Sequence, residues 1–286
     1  MKSLNRASVL LLSGLLLLAG CTTPSSGEKV KHNDQKVTEN KEKSAQSILT
    51  ESKKAMKEMK SYRWKMDANQ KMTAPGQDGS MTTEVTGTMD YVTDTLYYAD
   101  MAINMNMDGK KKKMDTKVIL KDNKMYVFSE MTNGWIRTNL DKKMAQEFGM
   151  QDDYLDPKEI LTVASEQKKG VTVKETGSSY QVGIKLKGEE NIKPFMKYAE
   201  NNIKKLESSG LKGKVALTDL EMKFTVNKKT KRLTDLDQNL NFSMSLSDKE
   251  TLHVKQTSHS NLEGEAHNIV IPDKAKKAPL VNPSRQ

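Results

Sequence analysis

Around residue 240 the chain alternates. Leu236, Leu240, Phe242, Met244 and Leu246 fall on one parity, and Asp235, Asp237, Asn239, Asn241, Ser243 and Ser245 on the other. Successive side chains of a strand point to opposite faces, so this segment reads as a strand with one face on a core and one in water. The same period of two recurs. Tyr62, Trp64, Met66, Ala68 and Met72 alternate with Arg63, Lys65, Asp67, Asn69 and Lys71. Further apolar rows run Met81 to Tyr91, Tyr97 to Met107 and Met114 to Leu120, and shorter ones cover 125–128, 135–137, 171–174, 180–186 and 220–226. A more polar strand is expected over 251–258 and an edge strand over 269–271. Turn signals separate them: Ala74-Pro75-Gly76, Asp108-Gly109, Asp122-Asn123, Asn133-Gly134 and Asn227-Lys228-Lys229-Thr230. Strands joined by turns this short pair antiparallel.

The period changes to 3.6 in a few places. Ala45, Ile48, Leu49, Ser52, Ala55, Met56 and Met59 form one stripe of a helix over 44–60. A second helix is expected over 141–150. A third starts at Asp156-Pro157-Lys158-Glu159, where a cap, a first-turn proline and a returning carboxylate precede Ile160, Leu161 and Ala164. A fourth is expected over 192–206, with Pro194 in its first turn. The order is helix, meander, helices, strands, helix, meander, with about ten strands. Each strand has one apolar face, so the helices must pack on one side of a curved sheet, an α+β arrangement. Hydrophobic residues are only 35% and charged residues 29%, yet the apolar ones are patterned, which argues against disorder. Residues 44–278 can form one domain, followed by a polar tail over 279–286.

The first 21 residues carry a different message. A basic head with Lys2 and Arg6 precedes an apolar run from Val9 to Ala19, too short to span a bilayer, and then Leu18-Ala19-Gly20-Cys21. Residues 1–20 read as a secretory signal. Cys21 is the chain's single cysteine, and an odd cysteine in an exported chain needs a special explanation. The four residues resemble the bacterial lipoprotein box, which implies diacylglycerol on the Cys21 sulfur, cleavage before it, and residence on the outer face of the cell membrane. Two acyl chains hold a protein stably where one holds it marginally. Residues 22–43 contain almost nothing apolar and form a linker whose ends lie about 25 Å apart. The formal charge is +10, or +8 after loss of Lys2 and Arg6. The lysines are scattered in sequence and read as a solvated surface.

The segments Asn123-Lys124-Met125-Tyr126-Val127 and Gly134-Trp135-Ile136-Arg137, with the closing stretch from Ile269-Val270-Ile271-Pro272-Asp273 to Ala278, resemble Gram-positive lipoproteins related to LolA and LppX. The resemblance implies an open antiparallel half-barrel with helices on its concave face and acyl chains held between the two. LolA carries lipoproteins and LppX-like proteins carry lipids. LolA is soluble and this chain carries its own anchor signal, so the implied role is a tethered carrier or binder rather than a free shuttle.

Methionine is the compositional oddity, 18 in all, of which 12 lie between Met66 and Met150. Methionine is flexible and polarizable and suits surfaces that adapt to varied apolar ligands. Met66, Met89, Met101, Ile103, Met105, Val118, Phe242 and Met244 are the candidate lining for an acyl lipid or a lipoprotein tail. The same residues also serve as plain core filler, and on that reading the domain is an envelope interaction or sensing module. No catalytic residues are assigned: there is no nucleophile elbow, phosphate loop or marked acid pair, and the chain is not expected to be an enzyme. His32, His253, His259 and His267 lack metal-ligand spacing and are expected to be exposed, so neither metal nor cofactor is expected. Asp152-Asp153 and Glu189-Glu190 are expected at helix N-termini, where acids offset the dipole. The lysine run 110–113 reads as a solvated loop or as a contact for anionic headgroups. Export and the absence of an aromatic-basic signature exclude nucleic acid.

Overall fold

The alternating segments form strands, and they assemble into a single sheet. The computed structural model describes residues 43–73, 80–93, 96–107, 109–130, 134–139, 157–196, 215–247 and 250–281. Over these the elements are α1 (Ala45–Lys57), β1 (Tyr62–Thr73), β2 (Ser80–Thr93), β3 (Leu96–Met107), β4 (Lys110–Lys121), β5 (Lys124–Ser129) and β6 (Gly134–Asn139). They continue with α2 (Pro157–Glu166), β7 (Val171–Thr176), β8 (Ser179–Lys187), α3 (Glu189–Met196), β9 (Val215–Asn227), β10 (Leu233–Ser247), β11 (Glu250–Gly264) and α4 (Asp273–Lys276). The eleven strands run β6-β5-β4-β3-β2-β1-β11-β10-β9-β8-β7 across an open, curved, antiparallel sheet. Two meanders thus meet where β1 pairs with β11, in a register that spans Arg63↔Gly264 to Thr73↔His253. The fold is α+β.

The turns follow their chemistry. Asp122 and Asn123 both have positive φ, 53° and 57°, between paired Lys121 and Lys124. That is the two-residue hairpin turn whose twist matches the strands, and Asn and Asp tolerate it best. The Asn227 side chain accepts hydrogen bonds from the Lys229 and Thr230 N–H groups, at 3.0 and 2.9 Å, and so shapes the β9–β10 turn.

The inward parity of every long strand faces the same core. Met101, Gly87, Met66, Ser260, Leu236, Phe224 and Val182 stand in one cross-strand row. Beside it Tyr62 stacks on Tyr91, with ring centroids 4.9 Å apart, and Tyr91 tilts against Tyr97 at 5.2 Å. Helix α1 lies over β7 to β10, α3 over β8 and β9, and α2 joins them by packing on both. Ser44 caps α1, its Oγ accepting from the Ser47 N–H at 3.2 Å. Ile48, Leu49 and Met56 are fully buried against the sheet. Burying such a side chain contributes about 1.5–3 kcal/mol.

Four expectations change. The helix expected to begin at Ile192 begins at Glu189, because Gly188 turns the chain out of β8 with φ 79° and its carbonyl accepts from Asn191 and Ile192. Pro194 therefore sits inside the helix rather than in its first turn. The lysine run 110–113 is not a loop; it opens β4, exposed, because the tight turn leaves Met107 paired with Lys110. β11 runs on to Gly264, well past 258, because β1 pairs with it that far, and over 253–261 β1 and β10 hold it from both sides. Residues 269–271 form no strand; they cross the outer face of the sheet with Ile269 buried on Ile119 and Tyr126. Glu189 and Glu190 occupy the first turn of α3 as expected. The helix expected over 141–150, Asp152-Asp153 and residues 197–206 lie outside the described residues.

Leu49→Ala should lower the unfolding free energy in urea by about 2–5 kcal/mol, through the lost burial and the cavity it leaves. Val173→Ala, on the edge strand β7 where the side chain is 39% exposed, should change it by less than about 0.5 kcal/mol.

Candidate functional site

Strand parity brings all eight predicted lining residues to the helix-covered face. Met66 lies on β1, Met89 on β2, Met101, Ile103 and Met105 on β3, Val118 on β4, and Phe242 and Met244 on β10. Met66, Met89, Ile103, Phe242 and Met244 are buried in the main core cluster, and Met101, Met105 and Val118 are half-buried against it. The first six form one patch across β1 to β4. Phe242 and Met244 stand apart, across β11, where Phe242 is opposite Val254 and Val254 opposite Met72.

Farther along the same strands, level with Leu236 and Gln238, the face carries small side chains. Ser258 is flanked by Ala68 and Gln238, and Ser260 by Met66 and Leu236, while Gly87 separates Met66 from Met101. A Cβ on Gly87 would meet the Asp100 carbonyl at 2.3 Å, so β2 and β3 approach each other here in a way only glycine allows. Trp64 Nε1, Thr83 Oγ1 and Ser258 Oγ are buried on this face without a hydrogen-bond partner. A buried polar atom left unpaired costs about 1–3 kcal/mol unless a water or a ligand reaches it. Sequence reading missed this polar, small-residue strip. Its signal was the inward parity of β11, Val254, Gln256, Ser258 and Ser260, where a central strand would ordinarily be apolar.

The outer face carries a second feature that sequence reading missed, a groove of about 350 Å³. Its floor is the outward parity of the first meander, Arg63, Asp90, Tyr98, Lys117, Ile119 and Trp135, and its other wall is the segment from His267 to Pro272. Arg63 Nη2 donates to Thr88 Oγ1 at 3.0 Å and lies 3.7 Å from Asp90 Oδ2; its Nε is 3.7 Å from a Glu263 oxygen. Its Nη1 bonds the His267 imidazole, and the His267 N–H donates to Asp90 Oδ1 at 3.2 Å. These bonds pin the C-terminal segment across β1 and β2. Burial pushes the Asp90 carboxyl above its ordinary range, against the pull of Arg63 and with a push from Glu263. Beside it, Lys117 and the Tyr98 hydroxyl both donate to Asp100 Oδ2, at 2.8 and 3.0 Å. The Asp100 bond raises the lysine, while burial first and Asp100 second raise the phenol.

The histidines do not converge. His253 is exposed on β11, and His267 belongs to the outer groove. His259 departs from the expected exposure: it is half-buried and its Nδ1 is 2.9 Å from Asp237 Oδ1, because Asp237 faces it across β10 and β11. Among the described residues no three His, Cys, Asp or Glu side chains gather as a metal site. His32 and Cys21 lie outside the described residues, and among those residues no helix is long and apolar enough to cross a membrane.

Since the fold favours the protonated form of Asp90, the carboxyl costs stability once ionised. Stability should therefore move against the wild-type chain, relative to Asp90→Asn, as the pH rises from about 4 to about 7. Paired urea titrations across that range measure the trend.

The sequence of a family described as one of unknown function, DUF6612, matches residues 44–279. No curated protein matches the chain. Among solved structures, LprF from Mycobacterium bovis is similar at 14% identity and a TM-score of 0.40, over 81% of this chain and 97% of that one. The ywiB protein from Bacillus subtilis is similar at 8% identity and a TM-score of 0.19, over 73% and 95% of the two chains. A beta-barrel-like protein of DUF1849 from Brucella abortus gives 10% and 0.23, over 72% and 98%. At these TM-scores none of the three bears on function. The family match spans most of the sequence, and the chain belongs to the DUF6612 family of unknown function.

Proposed function

We propose that the protein is an extracytoplasmic lipoprotein, anchored through Cys21, that binds an acyl lipid or a lipoprotein tail on the helix-covered face of its sheet. The observation that carries this reading is the composition of that face. Six of the eight candidate residues form one patch over β1 to β4, beside a strip of Gly87, Ala68, Ser258 and Ser260 that leaves little side-chain volume at the centre. Methionines at such a margin adapt to a flexible hydrocarbon chain. The unpartnered Ser258, Thr83 and Trp64 groups supply hydrogen-bonding atoms for a polar head or ester. Leu18-Ala19-Gly20-Cys21 and the linker over 22–43 support the anchor.

A second reading has one observation in its favour. Five of the eight residues are buried within the continuous core cluster, as filler would be. On that reading the sheet is a packed scaffold and a protein partner docks on an edge or loop.

Native mass spectrometry of the chain from residue 21, with Cys21→Ser, separates the two. The first reading expects a copurifying acyl species, or uptake of a fatty probe at micromolar concentration. Met101→Glu should lower that uptake about tenfold by placing a charge in the path while leaving the circular dichroism unchanged. An empty protein that takes up no probe favours the packed scaffold. For the anchor, palmitate should label the wild-type chain and not Cys21→Ser.

A further inference from the structure

The fold brings Lys43 beside a basic stretch near residue 230. The β9–β10 turn carries Lys228, Lys229, Lys231 and Arg232. Its shape is fixed by Asn227 and by a left-handed Lys231, φ 59°. Lys231 Nζ lies 3.8 Å from Glu51 Oε2 on α1, and Lys43 Nζ bonds the same carboxylate at 2.6 Å. Lys228 and Lys231 also sit over the Tyr180 ring, at 5.2 and 6.0 Å from its centroid, and Lys228 pairs with Glu175 at 2.8 Å. Five cations are thus grouped with two carboxylates, Glu51 and Glu175. The Lys229 and Arg232 side chains are exposed and have no ion pair among the described residues.

Lys43 is where the linker over 22–43 enters the domain. A chain tethered at Cys21 therefore keeps this end of the domain within the linker's reach of the bilayer, about 25 Å. The competing basic patch, the exposed lysine run 110–113, is at the other end of the strands. Leu233 opens β10 beside the turn, whereas Phe242 connects through Val254, Met72 and Met81 to Met107, next to that run. Nine residue steps along the strand carry Leu233 to Phe242, about 30 Å.

We propose that the β9–β10 turn, with Lys43 beside it, is the surface by which the anchored domain rests on anionic phospholipid headgroups. The inference rests on the anchoring proposed above. Its chemistry is that of juxtamembrane basic segments, in which each cation near the surface contributes about a fivefold gain in affinity that salt screens out.

The test is amine-labelling footprinting of the lipidated chain in vesicles of phosphatidylglycerol and phosphatidylcholine, against phosphatidylcholine alone. Acetylation of Lys229 should slow about tenfold on the anionic vesicles and recover at about 0.5 M salt, with the lysine run 110–113 unaffected. Equal labelling of Lys229 on both vesicles, or protection of 110–113 in its place, overturns the proposal. If palmitate does not enter at residue 21 the anchor fails separately, and sedimentation of the unanchored full chain with the same vesicles decides the surface. There, Lys229→Ser with Arg232→Ser should bind about 30-fold more weakly; a loss below about twofold overturns it.

Discussion

Everything in this molecule depends on the pairing of its first and last strands. β1 and β11 meet along nearly their whole length, from Arg63↔Gly264 to Thr73↔His253. The first meander needs only short turns to form, and short loops cost little closure entropy, while the second carries α3 between β8 and β9. The seam joins residues about 200 apart in sequence, and it alone makes one sheet from two. It also decides which residues share a face. β1 brings Trp64, Met66 and Ala68 inward, β11 brings Ser258 and Ser260 beside them, and a one-residue slip would turn every one of them outward.

The two faces are then used differently. The helix-covered face holds the main core and the methionine patch. The outer face is polar except under the C-terminal segment, where Ile269, Ile271 and Ala275 cover Ile119, Tyr126 and Trp135. That segment also protects an edge. The Arg137 N–H donates to the Pro279 carbonyl at 3.1 Å and the Val281 N–H to the Arg137 carbonyl at 2.9 Å, giving β6 a parallel neighbour at Leu280. The pin of Arg63, Asp90 and His267 fixes where the segment leaves β11, so the outer groove is a consequence of how the edge is covered.

Much of the fold was legible because burial on one face enforces a period of two. Tyr97 to Met107 and Leu236 to Leu246 read as strands for that reason, and the Asp122-Asn123 turn read from its chemistry. Pro194 misled because a proline is common at a helix start, while Gly188 had already begun the helix. Residues 269–271 misled because three β-branched residues mimic a strand even where they serve as a cover. The inward parity was enough to place all eight lining candidates on one face. The Lys43–Glu51–Lys231 cluster was not legible, because it is made by contacts between segments far apart in the chain, and the serine strip left only the polar inward parity of β11 as its sign.

The two tryptophans divide the faces between them: Trp64 is buried on the helix-covered side and Trp135 lies in the outer groove. A brominated fatty acid quenches an indole only at near contact, so two single-tryptophan variants, Trp135→Phe and Trp64→Phe, report on one face each. An acyl chain bound among the methionines quenches the emission of Trp64 in the first variant and leaves that of Trp135 in the second unchanged. Unquenched Trp64 at saturating brominated acid, or quenching confined to Trp135, would contradict the account.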